Sequence, residues 1–270
     1  MPAVPSLDLA AVRSAADPLF APDAAHGTSL ALVVQLAGSV VYERYGTLPD
    51  TPFGPGGPVT AETTLVSWSM AKSITHALVG LAVADGLLEV DVPAPVPSWR
   101  GPDKAAITLQ HLLNMQSGLE FVEDYVDAGV SHCIEMLFGS GEDDMASYAA
   151  ALPLVHEPGT CWNYSSGTTN IVASIVGDAV AAASGIPSGD ADGRRAALEA
   201  YMGERLFGPL GMSSATARFD TAGTFVGSSF VFATARDFAR FGELYRLDGV
   251  TPDGRRLLPA GWVDHARRHA

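Results

Sequence analysis

The sequence is poor in basic residues, and this shortage excludes several classes of partner. Its 16 Lys and Arg residues stand against 30 Asp and Glu residues, which gives a formal net charge of −14 at pH 7. Nucleic-acid backbones and anionic lipid surfaces are bound by basic faces that displace counterions. We therefore expect no nucleic-acid partner and no membrane partner, and a small-molecule or peptide-like ligand is the better expectation.

Cysteine is also scarce. Cys133 and Cys161 lie outside any CxxC or Cys/His ligand spacing, so neither a metal site nor a redox motif is predicted. Free cysteine behaves as a small hydrophobic residue, and both thiols are expected to be buried or half-buried. The seven histidines contain no His-Glu-X-X-His pattern, and His76 and His111 are interpreted as structural residues rather than ligands.

Two further catalytic patterns are missing. No Gly-X-Ser-X-Gly pentapeptide is present, which argues against a Ser-His-Asp hydrolase of the α/β type. The Gly-rich segment 54–57 is not followed by the Lys-Ser/Thr pair of a phosphate-binding loop. Neither that hydrolase class nor a nucleotide-binding protein is therefore expected.

Long apolar runs are absent, although 47% of the residues are hydrophobic. No stretch reaches the length needed to cross a bilayer. Residues 1–20 lack the positively charged region and the continuous apolar region of a secretory signal, so a cytoplasmic location is expected. With only 17% charged residues, the chain can bury a substantial core and should be globular.

The hydrophobic pattern predicts a β-hairpin followed by helices. Residues 28–45 form two β-rich runs separated by Ala37-Gly38, and residues 46–62 are rich in Gly and Pro, which indicates a surface loop. A short β-type run then leads into a helix, and the chain from residue 69 onward is predicted to be mainly helical. This order indicates an α+β fold in which helices cover an antiparallel sheet. Further helices are predicted at 108–116, 171–183, 193–207 and 235–247.

The predicted sheet is incomplete. An isolated pair of strands is marginally stable in water, and its free edges invite wrong pairings. We therefore expect that strands which complete the sheet lie outside these 270 residues.

Ser69 and Lys72 are the first candidates for chemistry. They stand three positions apart at the start of an apolar helix, so their side chains share a face. A serine hydroxyl needs a nearby base to become a nucleophile, and a lysine amine can serve where limited water and the positive end of a helix favour its neutral form. Taken alone, this spacing also fits a plain serine at a helix N-terminus followed by a solvated lysine.

Tyr164 is the second candidate. It lies in a predicted loop just before a helix, in the run Asn163-Tyr164-Ser165-Ser166-Gly167. A tyrosine beside a lysine ammonium can relay a proton, because the positive charge favours the phenolate. By itself, such a residue is more often a half-buried phenol with one hydrogen bond.

In combination, these motifs resemble the serine β-lactamase and penicillin-binding superfamily. Ser69-Met70-Ala71-Lys72 opens an apolar helix, the Tyr-Ser-Ser run follows at 164–166, and segments 107–119 and 227–242 also look like that superfamily. The match is closest to the branch of class C β-lactamases, D-alanyl-D-alanine carboxypeptidases, family VIII esterases and aminohexanoate-dimer hydrolases. Residues 163–170 look most like the last group. The resemblance implies a catalytic domain at 27–270 and a lead segment at 1–26.

The resemblance also implies roles for individual residues. Ser69 would attack a substrate carbonyl, Lys72 would assist its deprotonation, and Tyr164 would pass the proton to the leaving group. Ser166 would bind near Lys72 or the substrate, and Tyr125 would contact the substrate as an aromatic residue. This is acyl-enzyme chemistry on an amide, ester or lactam, with no metal or organic cofactor. The choice among these substrates depends on pocket shape, which the motifs do not encode.

One motif of the superfamily is missing. A late strand carrying Lys or His, one further residue and Gly supplies the second oxyanion donor, and no such tripeptide occurs here. Loss of one oxyanion donor typically costs about 10²–10³ in rate. We therefore expect a C-terminally shortened member with low or no turnover. The alternative is a catalytically inactive member that serves as a binding or scaffold module.

Overall fold

The computed structural model describes residues 7–21, 27–51 and 54–268. The predicted lead segment 1–26 and its boundary with the catalytic domain therefore lie partly outside the described residues. Helices in the described part are α1 (Leu9–Ala16), α2 (Ala71–Ala84), α3 (Leu109–Leu113), α4 (His132–Phe138), α5 (Met145–Ala151), α6 (Ser166–Ala183), α7 (Ala191–Met202), α8 (Gly208–Leu210), α9 (Ala235–Arg246) and α10 (Trp262–His265). Strands are β1 (Ala31–Leu36), β2 (Ser39–Tyr45), β3 (Thr47–Leu48), β4 (Gly57–Pro58), β5 (Thr64–Val66), β6 (Thr216–Ala217) and β7 (Val231–Thr234). The predicted α+β class is confirmed.

The predicted hairpin is confirmed as the antiparallel pair β1 and β2, with Ala31 opposite Tyr45. Its turn residues Ala37 and Gly38 have φ of 49° and 83°. Two consecutive positive φ values match the two-residue turn whose twist suits a hairpin, and Gly accepts this conformation without a steric cost. Part of the lead segment contacts this hairpin, because Arg44 pairs with Asp17.

The strands form three small sheets rather than one. Besides the hairpin, β3 pairs with β4 inside the predicted Gly- and Pro-rich loop, and β5, β7 and β6 form a three-stranded antiparallel sheet. The sequence patterns missed β6 and β7, because two and four residues are too short to show an alternation. In the described residues after position 69 the chain is mainly helical, as expected, and β6 and β7 are two short additions that the patterns did not predict.

The predicted apolar helix is confirmed as α2, which lies in the core. Ile74, Leu78 and Leu81 are at most 1% exposed. They belong to one core cluster with apolar residues of α6, against which α2 packs. A fully buried Leu or Ile side chain contributes roughly 1.5–3 kcal/mol, so this pairing fixes the position of the α2 N-terminus. The helix ends at Asp85 and Gly86, where Gly86 has a φ of 71°.

Helix α6 begins earlier than the sequence predicted. The pattern indicated a start near Asn170, whereas the first helical residue is Ser166. Ser165 caps this end, since its side chain accepts a hydrogen bond from the Thr168 N–H at 2.9 Å. The polar run at 165–170 is therefore a capped and buried helical turn, and it places Ser166 on the helix instead of in a loop.

Helix α3 is shorter than its predicted range of 108–116. Thr108 caps it by accepting a hydrogen bond from the His111 N–H at 3.0 Å. Met115 has a φ of 57°, which a right-handed helix does not allow, so the helix has ended before it. In the described part of the chain, no helix combines the length and apolar character that a membrane crossing requires.

Candidate functional site

Ser69 lies on a rigid turn between β5 and α2. It is the middle residue of a 3₁₀ turn, Trp68–Met70, and its side chain is exposed. The preceding Ser67 is fixed by its own N–H, which donates to the Val231 carbonyl at 2.8 Å, and by its hydroxyl, which donates to the Ser229 carbonyl at 3.1 Å. Trp68 has a φ of 43°, an uncommon conformation for a bulky residue. The nucleophile candidate therefore stands on a constrained backbone that β7 anchors.

The Lys72 amine lies at the centre of a cluster of oxygen atoms. Its Nζ is 3.2 Å from Ser69 Oγ, 3.1 Å from Ser166 Oγ and 3.0 Å from the Ser228 carbonyl oxygen. The 3₁₀ turn before α2 supplies Ser69, the first turn of α2 supplies Lys72, and the N-terminus of α6 supplies Ser166. The structure thus brings together three of the residues that the sequence singled out.

Ser228 was missed at the sequence level as a partner of Lys72. Its contribution is a backbone carbonyl, which no side-chain motif reveals. The segment is held by Asn170, whose Oδ1 accepts from the Ser228 N–H at 3.0 Å, and by Thr75, whose hydroxyl donates to the Gly227 carbonyl at 2.9 Å. Asn170 is fully buried, so this hydrogen bond fixes the carbonyl that faces Lys72.

Tyr164 lies on the other side of the amine. Lys72 Nζ is 4.8 Å from the centroid of the Tyr164 ring, within the range of a cation–π contact. The loop is positioned by Asn163, whose N–H donates to the Met115 carbonyl at 2.8 Å and whose Nδ2 donates to the Phe121 carbonyl at 3.0 Å. The phenol is therefore brought to the amine by a loop with defined hydrogen bonds.

Glu123 is a second residue of this site that the motifs did not assign. Its Oε2 accepts from the Ser166 N–H at 2.7 Å, and its Oε1 accepts from the Ser166 hydroxyl at 2.6 Å. Tyr125 donates its hydroxyl to the same Oε1 at 2.7 Å. Burial and the Glu123 carboxylate raise the pKa of Tyr125, so its phenol remains a donor. In the sequence, the one local feature that could have indicated this network is a carboxylate, Glu123, two residues before an aromatic residue, Tyr125.

Two cavities adjoin Ser69. The first has a volume of about 330 Å³ and is lined by Lys72, Tyr164 and the α2 residues Ser73, Thr75 and His76, among others. The second has a volume of about 490 Å³ and is more apolar; its walls include Trp68, Glu123, Tyr125, Ile134, Leu137 and Phe138. A small substrate can therefore approach Ser69 with one group on each side. Tyr125, predicted as a substrate contact, is 65% exposed at the second cavity.

Two further titratable groups beside the site are uncharged at neutral pH. Burial, together with the nearby Glu123 carboxylate, raises the pKa of the Cys133 thiol to about 12, so this thiol stays protonated at neutral pH. Burial, together with His265, lowers the pKa of His76 to about 3, so its imidazole is uncharged. Cys133 is buried and Cys161 is partly buried, and both are free, as predicted.

Comparison with known proteins gives one curated relative, the 6-aminohexanoate-dimer hydrolase of Paenarthrobacter ureafaciens. It is 28% identical over 204 residues, which cover 73% of this chain and 48% of the relative. The chain therefore spans about half the length of this curated protein.

Solved structures share the fold. A Bacillus anthracis protein classed provisionally as a 6-aminohexanoate-dimer hydrolase superposes with a TM-score of 0.68 at 20% identity, over 94% of this chain and 61% of its own. The β-lactamase/D-alanine carboxypeptidase of Pseudomonas syringae gives a TM-score of 0.57 at 19% identity, over 96% and 67% of the two chains. At these identities the likeness concerns the fold alone.

The family assignment comes from a family model, described as Beta-lactamase, that matches residues 16–268. The match covers the Ser69 turn, the Tyr164 loop and both cavities. The chain belongs to the Beta-lactamase family.

Proposed function

We propose that this protein is a serine hydrolase that cleaves an amide or ester bond of a small substrate through an acyl-enzyme on Ser69. The observation that carries the proposal is the distance of 3.2 Å between Lys72 Nζ and Ser69 Oγ. A nucleophile and a base within hydrogen-bonding distance, with the base held by further partners, are the geometric signature of an activated serine. The distance between Ser69 Oγ and Lys72 Nζ therefore supports nucleophilic catalysis by Ser69.

The reaction follows from the positions of three side chains. Ser69 Oγ attacks the substrate carbonyl carbon, and its proton passes to Lys72 Nζ. The tetrahedral oxyanion collapses and the bond from carbon to the leaving nitrogen or oxygen breaks. Tyr164 gives its hydroxyl proton to the leaving group and receives the proton held by Lys72 in its place. Water then hydrolyses the ester formed on Ser69, with the same groups moving the proton in reverse order. The net change is the addition of one water across the amide or ester bond.

The two cavities limit the substrate to a small molecule. With the volumes given above they accept groups of drug size or smaller on either side of the carbonyl. The second cavity carries an apolar wall together with Tyr125, which suits an aliphatic or aromatic acyl group. The curated relative is named for an amide substrate, the 6-aminohexanoate dimer, and this favours linear amides as the first substrates to test.

A fluorophosphonate probe tests the proposal directly. We expect it to label Ser69 covalently, because an activated serine displaces the fluoride, whereas an unactivated hydroxyl does not react. The labelled residue is identified by mass spectrometry of the digested protein. The probe bonds to the nucleophile itself, so the readout does not depend on turnover of a particular substrate.

A matched control lies on another helix. Ser147→Ala removes an exposed hydroxyl from α5 that lines neither cavity at Ser69, and this variant should retain labelling, whereas Ser69→Ala should lose it. If the unmodified protein remains unlabelled, or if label appears equally in Ser69→Ala, the hydrolase proposal is wrong. A folded but unlabelled protein would instead fit the inactive binding or scaffold module.

A further inference from the structure

The Glu123 carboxylate contacts the N-terminus of α6 through two hydrogen bonds from its first residue. One carboxylate receives both the backbone N–H and the hydroxyl of Ser166, at 2.7 and 2.6 Å. The Ser166 hydroxyl is in turn 3.1 Å from Lys72 Nζ. Glu123 belongs to none of the sequence motifs discussed above, yet its carboxylate is separated from the amine by a single side chain.

The direction of each hydrogen bond can be deduced. An ionised carboxylate only accepts, so the Ser166 hydroxyl donates its proton to Glu123 and presents a lone pair to Lys72. The Ser228 carbonyl, at 3.0 Å, also only accepts. Two of the three oxygen atoms around Lys72 Nζ, Ser166 Oγ and the Ser228 carbonyl oxygen, therefore each accept an N–H of the amine. The third is Ser69 Oγ, the one partner that can donate.

A general base must be a neutral amine when it accepts the Ser69 proton. A neutral lysine has two N–H groups and one lone pair, and the network takes both N–H groups away from Ser69. The lone pair is thereby left facing the Ser69 hydroxyl, which is the arrangement that a general base needs. Without the carboxylate, the Ser166 hydroxyl is free to turn its proton toward Lys72 and occupy that lone pair.

We propose that Glu123 is a positioning residue that acts through Ser166 to direct the Lys72 lone pair at Ser69. This inference rests on the proposed function of Ser69 and Lys72. The carboxylate itself touches neither the nucleophile nor the amine in the hydrogen-bond network. Glu123 acts by accepting the proton of the Ser166 hydroxyl, so that this hydroxyl presents a lone pair to Lys72.

A simpler role for Glu123 is structural. A carboxylate that accepts the N–H of the first residue of α6 stabilises the helix N-terminus, whatever the chemistry nearby. Tyr125 and Cys133 face the same carboxylate, and Lys72 lies beyond Ser166. The test must therefore separate an effect transmitted by the Ser166 hydroxyl from an effect on the backbone of α6.

A double-mutant cycle of Glu123→Gln and Ser166→Ala makes this separation. Gln keeps the size of the side chain but has one acceptor oxygen instead of two. The two Ser166 donors contact different carboxylate oxygens, so one of them would face an NH₂ group in the variant. We expect Glu123→Gln to lower the rate of phosphonate labelling of Ser69 by about 10- to 100-fold, as for loss of a charged hydrogen bond. In the Ser166→Ala background the same substitution should change the rate less than about twofold.

The backbone N–H of residue 166 remains in Ser166→Ala, so a merely structural Glu123 would cause the same loss in both backgrounds. Equal losses, or a Glu123→Gln variant that labels at the wild-type rate, would overturn the inference while leaving the proposed function intact. An unlabelled wild-type protein would contradict both the inference and the proposed function.

Thermal unfolding of each variant identifies poor folding. If the Gln variant does not fold, Glu123→Ala, which introduces no amide donor, is used to repeat the cycle. Glu120→Gln, at an exposed carboxylate three residues away, should behave as wild type.

Discussion

Lys72→Met should lower the rate of phosphonate labelling of Ser69 by about 10³-fold, within the usual range for loss of a general base. Methionine keeps much of the length of lysine but has no amine, so the Ser69 hydroxyl loses its proton acceptor. The Ser166 hydroxyl and the Ser228 carbonyl lose their donor at the same time. The measurement is the second-order rate constant of labelling, compared with that of the unmodified protein.

The other lysine of the chain provides the control. Lys104 donates to the carbonyls of Ala150 and Leu152 at 2.8 and 2.7 Å, and it is not among the residues that line the two cavities at Ser69. Lys104→Met should therefore affect thermal stability and leave the labelling rate within about twofold of wild type, as expected for a site outside the reacting network. Fast labelling of Lys72→Met would show that another group activates Ser69.

The part of the site that the sequence predicts is local in the chain. Ser69 and Lys72 are one helical turn apart, so the period of a helix is enough to place them side by side. Tyr164 and Ser166 were found through a resemblance, because nothing in their own run of residues shows that they lie next to α2. Long-range proximity of this kind depends on how α2 packs against α6, which local patterns do not determine.

Two partners of the site escaped sequence analysis for different reasons. Ser228 acts through a backbone carbonyl, and every residue has one, so its identity carries no signal. Glu123 acts through a side chain, but acidic residues are common on this chain of 30 Asp and Glu, and only the fold shows which one contacts Ser166. Where acidic residues are this common, the role of one of them can be assigned only after its hydrogen-bond partners are known.

The fold, like the site, has parts that local sequence predicts and parts that depend on contacts between distant residues. The hairpin was predicted because its turn chemistry and both of its strands lie within a short stretch, and α2 was predicted because its apolar period extends over three turns. Strands β6 and β7 have two and four residues, which is too few for the two-residue alternation of a strand to be recognised. They form because they pair with each other and, through β7, with β5. The early start of α6 depends on a serine cap in a polar run that resembles a loop.

Phe225→Ala should cause a large loss of stability, about 3–5 kcal/mol in the free energy of unfolding. Phe225 is fully buried, and its ring faces Phe219 at a centroid distance of 6.0 Å. It stands just before the segment that presents the Ser228 carbonyl to Lys72, where space is tight: a Cβ added at Gly227 would lie 3.2 Å from the Phe225 ring and 2.4 Å from Thr75 Oγ1. The cavity left by alanine therefore lies beside the backbone that positions the amine.

Phe219→Ala is the matched control, because Phe219 is only partly buried and part of its surface already contacts water. Its truncation should cost clearly less than that of Phe225, since less apolar area is lost and a surface site can relax around the gap. Urea denaturation of the two variants and the unmodified protein measures both losses. If Phe225→Ala were as stable as Phe219→Ala, the buried ring would not support this segment. The position of the Ser228 carbonyl would then depend on hydrogen bonds such as those of Asn170 and Thr75.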